Sequence, residues 1–303
     1  MKRIEVGDFV IPPEFTALQL AQKSAGQIGG LRVELLNTAG KTRLGECYQQ
    51  VPLRILPPFH FSGESASLLY ILNPTAGLLA GDAQLISITA RAGTRTIVTG
   101  QSANRIHPAG QEFSTQQWHI RVEEGAELVV LPGPTIPYRG SRYYQKVEVE
   151  LAAEANFIWA DIWLPGRYER GDSSEWFAFD RIIQELEIRR GGEPIYRERF
   201  DWKGPWTADQ RDWFCGLGNG LGNLFSTRSA QSDAWDANPA KPETILRLDS
   251  GDQLLRWALP PRELTPRVVE AAFRIAASWS SDEKYWLLES ENFPPNHWFS
   301  QRV

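Results

Sequence analysis

Cysteine is nearly absent: Cys47 and Cys215 are the only two in 303 residues. Two distant thiols make neither a disulfide framework nor a zinc knuckle. Histidine is scarce too, at positions 60, 107, 119 and 297, and no two of them lie three or four residues apart as paired metal ligands on one helix would. Positive charge is not in excess, because the formal net charge is −5 and the pI about 5.6. A non-specific grip on nucleic acid or on an anionic membrane needs a basic surface, so both partners are excluded. No run reaches the roughly 18 apolar residues of a membrane span. The opening "MKRIEVGDFVIPPEF" carries no apolar stretch behind its basic residues and does not read as a signal peptide. The expectation is a cytoplasmic protein.

Against these absences, 42% of the residues are hydrophobic, 23% are charged and 12 are tryptophan. Those indoles supply large apolar areas that must pack in a core or meet a partner. Short runs of period two recur along the chain: "LRVELLN" (31–37), "TRLGECYQQ" (42–50), "SLLYILN" (67–73), "AQLISITA" (83–90) and "TRTIVTG" (94–100). "FSTQQWHIRV" (113–122), "AELVVLP" (126–132), "YYQKVEVEL" (143–151), "ANFIWADIWL" (155–164), "FAFDRIIQELEIRR" (177–190) and "PIYRERF" (194–200) continue the series. Gly and Pro punctuate them, and "RRGGEP" (189–194) reads as a hairpin turn. Neither an exact repeat nor a βαβ rhythm is seen. The fold class expected is mainly β: one layered or solenoid-like, β-rich domain over 1–303, its strand-rich body at about 30–205. A loop and a small C-terminal helical cap fill about 206–303. Thr265 is placed as N-cap and Pro266 at the first position of that helix, "RVVEAAFRIAASW". A weaker helix is expected at 14–25.

Few motifs carry chemistry. "GLGNGLGN" (216–223) lacks the preceding strand of a dinucleotide fingerprint and no Walker lysine follows it, so it is read as a flexible loop. Alternation sends His119 to the polar face of its strand, while His60 and His107 fall in Pro-flanked loops, where a turn role is expected ahead of metal binding. The corner "LNPTAGLLAGDAQL" (72–85) admits three roles: a phosphate cradle, a metal-holding Asp82, or a tight turn. In "ANFIWADIWLPGR", Phe157, Trp159, Asp161 and Trp163 share one strand face. A carboxylate among aromatics is costly to bury unless paired. Arg167, after the Pro165-Gly166 corner, is the candidate partner of a structural ion pair. The other reading of Asp161 is a carboxylate lining a water-filled passage for a cation.

Six segments in order, "GKTRL" (40–44), "PLRI" (52–55), "LNPTAGLLAGDAQL" (72–85), "GAELVVLPGPTI" (125–136), "DIWLPGR" (161–167) and "EIRRGGEPIYRERF" (187–200), resemble the urease accessory protein UreD (UreH) family. Gly77, Gly81 and Asp82 match a family corner of the form Gly-Gly-(Leu/Val)-x-Gly-Gly-Asp, with Ala76 and Ala80 in place of two glycines. Gly166 and Arg167 match a second corner. The resemblance implies a β-rich body and a non-catalytic scaffold in a complex with a UreF-type scaffold and a UreG-type GTPase. That complex would dock on apo-urease and deliver nickel. It implies no tightly bound cofactor, nickel bound only transiently, and Asp82 and Asp161 as carboxylates of the nickel passage. Two alternatives stand beside it: a β-rich interaction module without a metal role, and an enzyme or sugar-binding protein.

Overall fold

The computed structural model describes residues 2–17, 26–60, 66–216, 218–227 and 244–279. An N-terminal strap with 3₁₀ turns at Val6–Asp8 and Pro13–Phe15 leads to a hairpin of β1 (Ile28–Thr38) and β2 (Lys41–Gln50). Short strands β3 (Arg54–Ile55) and β4 (Phe59–His60) both pair with β5 (Ser67–Leu72). Then follow β6 (Ala83–Ala90), β7 (Arg95–Gly100), β8 (Asn104–Ile106), β9 (Ser114–Val122), β10 (Glu127–Leu131), β11 (Pro134–Pro137), β12 (Arg142–Leu151) and β13 (Asn156–Trp163). A second hairpin, β14 (Arg181–Arg190) and β15 (Glu193–Lys203), turns through Gly191 and Gly192, both at positive φ. The chain closes with α1 (Ala208–Cys215), β16 (Leu221–Ser226), β17 (Thr244–Arg247), β18 (Gln253–Ala258) and α2 (Pro261–Ala277).

Two sheets result. The first has the order β15-β14-β12-β9-β6-β1-β2, and the main path of the second runs β17-β18-β16-β13-β10-β7-β5-β3. Strands β1, β6, β9, β12 and β14 are mutually parallel neighbours, as are β5, β7, β10 and β13. Parallel strands need a crossover connection. Here each crossover is itself a strand of the other sheet, so every coil lays one strand in each layer. That is the layered, solenoid-like β-body expected from the sequence. At one end the coils turn through short arcs at 91–94, 123–126 and 152–155. These arcs stack by backbone bonds, Glu127 N to Thr94 O at 2.8 Å and Asn156 N to Ala126 O at 2.9 Å. At the other end the connections are long, at 73–82, 101–113, 132–141 and 164–180.

Three apolar layers, with a fourth apolar cluster around Trp163, Phe177, Phe179 and Trp206 at the long-loop end, hold the described residues together. Between the sheets, Leu31, Ile86, Trp118, Val147 and Leu186 face Leu69, Val98, Val130, Phe157 and Trp159. The outer face of the second sheet is covered by α2 through Leu264, Val268, Ala272 and Ile275. The strap lays Ile4, Phe9 and Phe15 on the outer face of the first sheet, against Leu85, Phe113 and Tyr144. Gln117, buried on that outer face, exchanges two hydrogen bonds with the backbone of Val10 and pins the strap there.

Two local expectations are corrected, and a third falls mostly outside the described residues. Helix α2 begins at Pro261 behind Pro260, so Thr265 is buried inside it and Pro266 is interior, not first. A proline-proline start suits a helix entry, because a first-turn N–H has no intrahelical partner to lose. Within 216–223, residues from Leu221 on are strand, antiparallel to β13. The glycines serve close packing: a Cβ on Gly222 would sit 2.8 Å from Val268 Cγ2 and 2.9 Å from Leu264 Cδ1 of α2. Finally, the helix expected at 14–25 starts as a 3₁₀ turn, and residues 18–25 lie outside those described. Among the described residues, no helix is long and apolar enough to cross a membrane.

Candidate functional site

The corner at 73–82 is built by backbone. Leu78 bridges to Ile106, giving N–H to Arg105 O at 2.8 Å and taking His107 N–H at 2.9 Å. Gly77 makes this approach possible. Its φ is +131°, and a Cβ there would stand 2.2 Å from Arg105 O. Gly81, also at positive φ, packs its backbone against Gly26. Asp82 is buried, and its two carboxylate oxygens each accept a backbone amide, Gln27 N–H at 2.7 Å and Leu79 N–H at 2.8 Å. Burial raises its pKa against those two bonds and the pull of nearby His107. The geometry is that of a cap closing the turn. An Asn in its place would turn an NH₂ toward one of the two donating amides.

Asp161 stands inside the sandwich. It projects from β13 toward the first sheet, fully enclosed among the aromatics that the alternation places beside it. Gln145 Nε2 donates to Oδ1 at 2.7 Å, Trp159 Nε1 donates to Oδ2 at 2.6 Å, and Gln184 Nε2 donates to Oδ2 as well. Arg167 is not its partner: that guanidinium lies over the Tyr138 ring, 4.2 Å from the centroid. The expected ion pair is therefore replaced by three neutral donors. Gly166, at φ +98°, turns the chain between Glu175 O and Pro137 O and aims Arg167 outward from β13. Desolvation lifts Asp161 from 3.8 to about 6, the three hydrogen bonds oppose this, and the charge of Glu198 adds to the rise. At neutral pH it is a buried anion compensated only by dipoles.

Its donors belong to a row that the sequence reading did not identify. Gln84, Gln116, Gln145 and Gln184 occupy one register position across β6, β9, β12 and β14. All four lie on the inner face of the first sheet, one pleat beyond Ile86, Trp118, Val147 and Leu186. Gln116 donates to Gln84 at 2.9 Å and accepts from Trp118 Nε1 at 3.1 Å, while Gln184 accepts from Trp163 Nε1 at 3.1 Å. Among the described residues, Gln84 Nε2 and Ser114 Oγ are buried without a protein partner. The row meets a cavity of about 50 Å³ at the long-loop end, lined in part by Asn73, Thr75, Asn104, Gln116 and Trp118. That space is roughly enough for a few water molecules. The signal was present in the sequence as a recurrent Gln-x-apolar-x-apolar: Gln84-Ile86-Ile88, Gln116-Trp118-Ile120, Gln145-Val147-Val149 and Gln184-Leu186-Ile188.

The remaining candidates separate from this seam. His119 is on the outer face of the first sheet with Glu148 3.2 Å away, and His107 Nε2 is 3.0 Å from Ala76 O. Among the described residues, no three His, Cys, Asp or Glu side chains converge to hold a metal ion.

The model of the family described as UreD urease accessory protein matches residues 27–250, which takes in the first sheet, the second sheet up to β17, the glutamine row and both corners. Among similar proteins, urease accessory protein UreD of Opitutus terrae is 36% identical over 155 residues, covering 51% of this chain and 56% of that protein. UreD of Deinococcus radiodurans is 34% identical over 172 residues, covering 56% of this chain and 60% of its own length. UreD 3 of Methylorubrum populi is 31% identical over 184 residues, covering 60% and 59%. The matched part thus spans a little over half the length of these relatives. With a matching model over most of its length and the two-sheet body that carries the matched segments, the chain belongs to the UreD urease accessory protein family.

Proposed function

We propose that this chain serves urease maturation without catalysing a reaction. In this reading it holds a complex with a UreF-type scaffold and a UreG-type GTPase against apo-urease in the cytoplasm, and nickel moves along its interior seam. Nickel is cargo here, and no resident cofactor is required. One observation carries the reading: a buried carboxylate, Asp161, compensated by neutral donors alone, in a polar row that crosses an otherwise apolar sandwich. A structural ion pair would have supplied a cation. An anion with dipoles only attracts a passing hydrated cation, and too few oxygen ligands are present to trap it. Water is the partner proposed for Gln84 Nε2 and Ser114 Oγ. Asp82 contributes by shaping the corner at the mouth of the cavity.

The test is urease activation in cells carrying the urease structural and accessory genes. Asp161→Asn keeps the shape: its amide oxygen faces Trp159 and Gln184, and a flipped Gln145 offers an oxygen to its NH₂. Removing one charge from a weakly screened site should lower nickel loading and activity about tenfold, with the complex still assembled on gel filtration. Asp82→Asn should instead lower the thermal stability of the chain. Full activation with Asp161→Asn in an intact complex would sink the passage and leave an interaction module without a metal role.

A further inference from the structure

The tryptophans divide sharply. Most of those described are buried, and α2, which has the clearest apolar stripe in the sequence, lays that stripe on the second sheet and carries Arg262, Glu263 and Arg274 on its outer face. Among the described tryptophans Trp213 on α1 is the exposed one, with 84% of its surface open. Its neighbour Phe214 is 43% exposed and stacks on Trp206 at 4.8 Å, and Trp206 in turn stacks on Phe177 at 4.7 Å. Trp202, 5.2 Å from Trp206, continues this column inward to Trp163. The exposed ring is thus mounted on a rigid support. Helix α1 is itself fixed by a reciprocal cap between Thr207 and Gln210.

Two acidic residues share the helix face of Trp213. Asp209 is one turn before Trp213 on the same helix face, and Asp212 is three residues after Asp209, so the three make one exposed stripe. Arg211, the basic residue of the helix, points elsewhere and donates to Ser173 O. Among the described residues no ion pair engages either aspartate. An exposed indole flanked by two free carboxylates is complementary to an apolar surface edged with lysine or arginine, and Trp is a frequent anchor of such contacts. We infer that the Asp209–Asp212–Trp213 stripe of α1 is a docking site for a basic, amphipathic protein surface. With a net charge of −5, this chain repels a second copy of itself and suits a basic partner.

The probe is a synthetic amphipathic helix of leucine and lysine, with a leucine–glutamate helix as its counterpart, titrated into the full chain. The lysine helix should bind with an affinity that falls as salt rises, and the glutamate helix should not bind. Trp213→Ala, and Asp209→Asn with Asp212→Asn, should each weaken binding about tenfold, the scale of a hot-spot loss. Both changes fall on exposed positions, so the thermal melt should stay that of the parent. Glu263→Gln with Glu270→Gln, on the outer face of α2, should change nothing. If the two stripe variants bind like the parent, or the α2 variant weakens binding equally, the site is overturned. It is also overturned if sedimentation shows a dimer of the chain alone that Trp213→Ala dissolves, because the occupant is then a second copy.

Discussion

Asp161 carries the most consequence of any single residue. Its pKa rises from 3.8 unfolded to about 6 in the fold, first through desolvation. The folded state therefore holds a proton that the unfolded state has released, over the window from about pH 4 to pH 6. Stability from this group is present below that window and is lost as pH rises through it. A shift of about two pH units at about 1.4 kcal/mol each amounts to about 3 kcal/mol. The expected result is that Asp161→Asn gains stability relative to the parent between pH 4 and pH 7, by up to that amount, in paired urea titrations. A difference independent of pH would show that the carboxylate is not desolvated. Asp82 differs although it is also buried and also raised. Both of its oxygens are committed to backbone amides, so its charge serves the turn.

Among the elements, the contact of β16 with α2 shows how glycine can be read wrongly. Four glycines in eight residues suggest a loop, since glycine weakens regular structure. The strand survives because Gly222 and Gly220 admit the Leu264 and Val268 side chains of α2 where a methyl group would collide. Gly222→Ala should therefore destabilise the protein by about 1–3 kcal/mol, the usual cost of overpacking a core. Differential scanning calorimetry measures it, and an unchanged melting temperature would mean that α2 is free to shift. The hairpin of β14 and β15 was legible for a local reason: Gly191-Gly192 between alternating runs specifies a tight turn without help from the rest of the chain. The start of α2 was not, because Pro266 fits a first turn equally well, and only packing of Leu264 and Thr265 extended the helix backward.

Over the whole molecule, parallel coils bury their strands from both sides, while β2, β15, β17 and β3 stand at edges. Each edge strand has a sheet neighbour on one side alone. Opening should therefore be graded. Amides of β9, β10, β12 and β13 should exchange with solvent slowest, and those of β2 and β17 fastest, in native-state hydrogen exchange. Uniform exchange rates across both sheets would contradict the coil-by-coil architecture. The same stacking creates the seam, since one inward glutamine per coil becomes a continuous row only when the coils are in register.

The sequence by itself determined what depends on neighbours along the chain: the strand character of each run, the face on which Trp118 and Phe157 point, the glycine corners at Gly77 and Gly166, and the shared face of Trp159 and Asp161. Alternation and turn chemistry act over a few residues, so a single chain displays them. Only the tertiary structure decided what depends on contacts between distant segments. It gave Asp161 the amides of Gln145 and Gln184 in place of Arg167, turned Asp82 into a cap for Gln27 and Leu79, and left Trp213 outside when most of the described tryptophans went in. Each of these outcomes follows from which coil stacks on which, a register set by burial summed over two whole sheets and by no residue alone.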